Sequence, residues 1–223
     1  MDKKLISQAF IKFFSGLILV GLLLFLPAGT WDFWQAWLLM GVLFVPMFFA
    51  GLVMLFKAPE LLRKRLNAKE EQDEQKWVIA LSGAMFLAAF LLAGFGRRFG
   101  WYTLPRWVSC AAAALFLAGY LLFAEVLREN AYLSRTVEVQ AGQELVSTGL
   151  YGVVRHPMYM STLLLFLSMP LILGSLPSFL VTLLYLPIIA KRIRNEETVL
   201  EAGLPGYREY EKKVRYRLVP GIW

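Results

Sequence analysis

The sequence predicts an all-α integral membrane protein with about six transmembrane helices, the last two forming a tight hairpin. Three observations predict it. Of the 223 residues, 58% are hydrophobic and the mean hydropathy is +0.58, above the ~45–50% apolar share of soluble domains. The apolar residues fall in long blocks, and a bilayer core of ~30 Å needs about 20 apolar helical residues per crossing. If the blocks cross in alternation, all but three of the 23 Lys and Arg fall on one side, the exceptions being Arg97, Arg98 and Arg106.

The first block is 10–26. Lys3, Lys4 and Lys12 precede it as a basic leader would, but a second apolar span follows at once and no A-x-A site stands out. A retained first transmembrane helix is expected. The second block, 34–56, contains Pro46, which predicts a kink. The loop 57–76 mixes six basic with five acidic residues and reads as a solvated helical loop on the headgroups. The third block is 77–95. The fourth, 106–127, is opened by Pro105, a residue suited to a first helical turn. The stretch 158–190 is punctuated by Pro170, Gly174, Pro177 and Pro187, so a hairpin turning within Leu173–Ser178 is expected rather than one straight helix. Its first arm, 158–173, spans about 24 Å at ~1.5 Å per residue, short enough to require tilt or local thinning of the bilayer. Six crossings put both termini on one side, and the basic residues assign that side to the cytoplasm, N-in and C-in. Trp31, Trp34, Trp37, Trp77, Trp101 and Trp107 lie near span ends, as interfacial anchors would.

Composition also excludes functions. The net charge of +7 comes from residues flanking apolar blocks rather than from a stripe interleaved with aromatics, so a nucleic-acid partner is not expected. A single cysteine excludes an intrachain disulfide or a multi-Cys metal site, and Cys110, inside an apolar block, reads as a buried structural thiol. There is no G-x-S-x-G, H-E-x-x-H or C-x-x-C, and His156 is the sole histidine. No acid lies deep in a span, which argues against a transporter. A non-enzymatic membrane scaffold remains an alternative on these grounds.

Two segments on the inner side are long enough to build a site. In 134–152, Val137 and Val139 alternate with polar residues and Ala141-Gly142 reads as a turn, so a short extended pair is expected. The tail from Lys191 reads as a helix leaving the membrane, a break at 203–206, and a short amphipathic helix with Tyr207, Tyr210 and Val214 on one face. Polar clusters sit at the two feet of the hairpin. Tyr151, Arg155, His156 and Tyr159 form the first, with Pro157 biasing His156 toward extended backbone and opening the next helix, whose free N–H groups suit an anion. Arg192, Arg194, Glu196 and Glu197 form the second, with Arg192 and Glu196 on one helix face. A tight turn brings both into one pocket built from the 128–157 loop and the tail.

The elements "GQELVSTGLYGVVRHPMY" and "RIRNEETVLEAGLPGYREYEKKVRYRLVPGIW", separated by the hairpin, resemble the isoprenylcysteine carboxyl methyltransferases and their phospholipid methyltransferase relatives over about the last 80 residues. The resemblance implies an S-adenosylmethionine-dependent methyltransferase, with the cofactor at the cytosolic face and a lipophilic acceptor, foremost a carboxylate, entering from the bilayer. It implies two regions: 1–127, four transmembrane helices, and 128–223, the cofactor-binding region, in one structural domain. It implies cofactor contacts at Gln143, Glu144, Leu145, Val146, Tyr151, His156, Pro157, Met158, Tyr159 and Glu196, and a catalytic, substrate-binding arginine at Arg192. Gln143-Glu144 stands where the family often has His-Thr or a similar pair. NADPH-dependent sterol reductases share the Arg-His-Pro element. They usually carry Asn at the position of Met158 and an acid shortly after the tyrosine, whereas Met160-Ser161-Thr162 follow Tyr159 here.

Overall fold

A computed structural model describes residues 3–66, 73–101, 103–133, 137, 139–140 and 142–223, with the backbone alone for 73–75. The helices are α1 (Lys3–Ala28), α2 (Trp34–Lys57), α3 (Pro59–Leu66), α4 (Asp73–Phe99), α5 (Arg106–Glu129), α6 (Pro157–Ile172), α7 (Leu176–Thr182), α8 (Tyr185–Gly203) and α9 (Tyr207–Lys213), with a 3₁₀ turn at Gly149–Gly152 before α6.

Five segments are long and apolar enough to cross a membrane: α1, α2, Lys76–Phe99, α5 and the run Leu176–Gly203 that joins α7 to α8. The sixth expected crossing is shorter. Proline at its first position and the turn at Gly174 confine α6 to 16 residues. The outward faces carry Ile18, Leu22, Leu26, Val45, Phe49, Val53 and Leu121, all exposed. Such a belt is stable against lipid and costly in water, so the chain is an integral membrane protein. Trp31, Trp77 and Trp107 are also exposed near helix ends.

Close packing is set by small residues. On α5, Ser109, Ala112, Ala113, Phe116, Gly119 and Val126 are buried at helical spacing. A Cβ on Gly119 would lie 3.2 Å from Leu165 of α6. On α4, a Cβ at Gly94 would lie 2.8 Å from the Leu24 carbonyl of α1. Without a side chain at these points the backbones approach, which is how helices gain contact in lipid. Leu24, Phe33, Leu39, Phe116 and Ile172 then share one core cluster contributed by α1, α2, α5, α6 and the α1–α2 link.

Cys110 corrects an expectation. The stripe beginning at Ser109 faces α6, and one helical step carries Cys110 round to the outer face, where it is exposed rather than buried. The expected extended pair in 134–152 is also absent among the described residues, where no strand forms; Ser134–Thr136, Glu138 and Ala141 lie outside them. Val137 and Val139 alternate because they pack on different neighbours. Val137 lines a cleft, while Val139 packs with Leu204, Tyr207 and Tyr210.

The tail matches its reading more closely. Helix α8 ends at Gly203, Gly206 takes a left-handed φ of 81°, and α9 then buries Tyr207 and Tyr210, with Val214 just beyond it.

Candidate functional site

Two backbone events build the site. Gly149 adopts φ 56°, and the following 3₁₀ turn aims the Leu150 N–H at the Glu129 carboxylate, at 3.0 and 3.2 Å to its two oxygens. The chain then bends through Arg155 and His156, the latter at φ −126° and ψ 62°. Their N–H groups donate to the Tyr216 and Arg217 carbonyls, both at 2.9 Å. The C-terminal strap thus fixes the stretch that enters α6.

Gly149→Ala is a direct check on that turn. A left-handed alanine costs roughly 1–2 kcal/mol, and the new Cβ would fall 1.6 Å from Glu129 Oε1, displacing the carboxylate from Leu150. Thermal unfolding is expected to show a loss of about 2–3 kcal/mol once the broken hydrogen bond is added. Glu129→Ala in the same chain should recover part of that loss. An unchanged melting temperature for Gly149→Ala would contradict this account of the turn.

Glu197 of α8 is buried at the centre of the polar cluster. Its Oε1 accepts from Arg155 Nε at 2.9 Å, lies 2.8 Å from Arg155 Nη2, and sits 3.2 Å from His156 Nε2. Its Oε2 accepts from Arg217 Nε at 2.7 Å. Arg155 also pairs with Glu211 at 3.3 Å and donates to the Val214 carbonyl at 3.1 Å. Burial raises the Glu211 carboxyl above its ordinary range, against the pull of Arg155. Charges removed from water need this degree of pairing.

Glu196, one residue earlier, is rotated about 100° on the helix and faces the cleft instead. Tyr159 donates its hydroxyl hydrogen to Glu196 Oε2, and Arg192 Nε donates to the Tyr159 oxygen at 3.0 Å. His156 Nδ1 stands 3.9 Å from Glu196 Oε1. The imidazole is therefore held between two carboxylates.

The cleft encloses about 820 Å³ of empty space, part of it open to solvent. Gln143, Glu144, Leu145, Val146, Tyr151, His156, Met158, Tyr159, Arg192 and Glu196 all line it. Pro157 does not; it is fully buried at the first position of α6. The 143–146 wall is irregular and is held through its neighbours. Gln140 N donates to Gln143 Oε1 at 2.9 Å, Tyr132 Oη donates to the Gly142 carbonyl at 3.1 Å, and Lys64 of α3 donates to Gln140 Oε1 at 2.7 Å. Tyr151 accepts from Asn130 Nδ2 at 2.9 Å, its carbonyl accepts from Tyr210, and burial pushes its phenol up to about 12.

Arg155 lines the cleft too, and Asn130, Tyr132, Leu133, Val137, Val199, Leu200 and Leu204, which sequence reasoning did not assign to the site, complete the lining. For three of them a signal existed. Val199 and Leu200 follow Glu196 by three and four residues and share its helix face, and Leu204 caps the same face. Asn130, Tyr132 and Leu133 belong to an irregular loop with no periodicity to read, and the alternation at Val137 pointed to a strand instead.

Residues 107–204 match the family model for phospholipid methyltransferase (PEMT). The match runs from the first turn of α5 to the residue that follows α8 and includes every residue that lines the cleft. It bears out the resemblance to the isoprenylcysteine and phospholipid methyltransferases noted in the sequence. The mouse (Mus musculus) Delta(14)-sterol reductase TM7SF2 is 31% identical over 91 residues, which cover 40% of this chain and 22% of that protein. The matched stretch thus spans about a fifth of the length of that relative.

Proposed function

We propose, from the match over residues 107–204 and the cleft those residues line, that the chain is an integral-membrane methyltransferase that uses S-adenosylmethionine to methylate a lipophilic acceptor, foremost a carboxylate. The observation that carries this reading is the convergence of the 143–146 segment, Tyr151, His156, Tyr159, Arg192 and Glu196 on one cleft between the N-terminal end of α6 and the C-terminal half of α8.

The residues present fit the cofactor's chemistry. Glu196 and Glu144 supply carboxylates for a cationic amino group, and the first turn of α6 supplies N–H donors for a carboxylate. Leu133, Leu145, Leu200 and Leu204, with Tyr132, supply an apolar wall for a flat heterocycle. When bound, S-adenosylmethionine supplies an electrophilic methyl group on a sulfonium. The protein's task is then positioning more than covalent participation. Arg192 orients the acceptor carboxylate, its own head held by the Tyr159 hydroxyl. A carboxylate attacks without losing a proton, so no general base is needed. An amine or thiol would need one, and His156 is engaged with Glu197 at 3.2 Å; this favours the carboxylate. In this reading the cleft faces the cytoplasm, the acceptor arrives from the bilayer, and 128–223 forms the cofactor-binding part.

The similarity to a sterol reductase supports a second reading, an NADPH-dependent membrane reductase. Titration of detergent-solubilised protein with each cofactor separates the two. Saturable S-adenosylmethionine binding, weakened by Glu196→Gln and by His156→Ala, is expected. NADPH binding without S-adenosylmethionine binding would reverse the assignment.

A further inference from the structure

A second cleft, with about 870 Å³ of empty space, opens at the opposite end of the bundle. The 16 residues of α6 separate the two by about 24 Å, so it takes no part in the site described above. It is lined by the first residues of α2 and α5, the end of α4 and the α6–α7 turn. Its chemistry is distinctive. Arg97 and Arg106, two of the three cations on this side of the chain, line it, and no carboxylate does among the described residues. Arg97 is shared with Asp32, at 3.2 Å, and with the Asp32 carbonyl. Arg106 lies over the Trp34 ring at 5.9 Å. The N-termini of α2 and α5, each 24 residues long, add partial positive charge and N–H donors. The Gln35 side-chain oxygen, also in the lining, is buried with no hydrogen-bond partner among the described residues.

We infer that this cleft binds the headgroup of an anionic, hydroxyl-bearing glycerophospholipid, of which phosphatidylglycerol is the probe. With Arg97 neutralised by Asp32, the net charge of the cleft is set by Arg106 and two helix ends, which matches one phosphodiester. The unpaired Gln35 oxygen requires a donor, which a headgroup hydroxyl supplies. An ammonium headgroup would supply a donor too, but would place a cation against Arg106 and the helix ends. The exposed Trp31 and Trp107 set this end at the depth of lipid headgroups.

Native mass spectrometry of the detergent-purified chain with phosphatidylglycerol, phosphatidylethanolamine and glycerol 1-phosphate, each added separately, tests this. Phosphatidylglycerol should bind at least tenfold more tightly than phosphatidylethanolamine. Arg106→Gln should weaken it about tenfold, whereas Arg98→Gln, outside the cleft, should leave it unchanged. Gln35→Leu should reduce the preference for phosphatidylglycerol. Equal losses for Arg98→Gln and Arg106→Gln would overturn the proposal in favour of diffuse surface charge. Preference for phosphatidylethanolamine, or equal binding of glycerol 1-phosphate, would overturn it as well.

Discussion

Glu197→Gln is expected to lower the melting temperature by roughly 10 °C. The carboxylate is buried against Arg155, itself 6% exposed, and also receives Arg217 and His156. Removing one partner from a buried pair leaves an uncompensated charge and costs about 3–5 kcal/mol. In a chain of this length each kcal/mol is worth about 2–4 °C. Glu211 faces the same guanidinium at 3.3 Å but is more exposed, so it offsets only part of the loss, and Glu211→Gln alone should cost less. The pair is coupled: Arg155→Leu with Glu197→Leu should lose less than the sum of the two single changes. Differential scanning fluorimetry in detergent reads all five variants, the two single leucine changes included. A shift under 2 °C for Glu197→Gln would show that the cluster does not hold the α6 entry to α8.

Arg192→Ala is expected to reduce turnover about 10²-fold while changing S-adenosylmethionine affinity by less than about threefold. The first figure is the size of loss seen when a preorganised electrostatic contact to the reacting group is removed. The second follows from position, because Arg192 reaches Glu196 through the Tyr159 hydroxyl, to which it donates at 3.0 Å. Tyr159→Phe breaks that relay and should therefore impair both quantities moderately. Arg192→Lys should restore little, since an ammonium lacks the planar fork that holds a carboxylate through two bonds. Labelled-methyl transfer assays, read beside equilibrium cofactor binding, separate the terms. Equal loss of both in Arg192→Ala would remove the arginine from the acceptor side.

The membrane architecture was legible because bilayer thickness is a local constraint, read block by block. Pro105, Pro157 and Gly174 then marked boundaries through restrictions on their own backbone. The division of labour between Glu196 and Glu197 was not legible from composition or spacing. Both sit at the same foot of α8, and only the helix rotation sends one to the cleft and the other to Arg155. The loop before α6 misled for a related reason. Alternation at Val137 and Val139 looks like a strand, but the burial that alternates is supplied by the cleft wall and by the tail. Cys110 shows the limit of hydropathy in a membrane: an apolar block does not say which face meets protein and which meets lipid.

The central claim is that residues 143–159 and 192–204 grip one cofactor together. Hydrogen–deuterium exchange with and without saturating S-adenosylmethionine tests it most directly. The account predicts simultaneous slowing of exchange in both segments, abolished at matched concentration by Glu196→Gln. Saturable binding that protects neither segment, or only one of them, would contradict it.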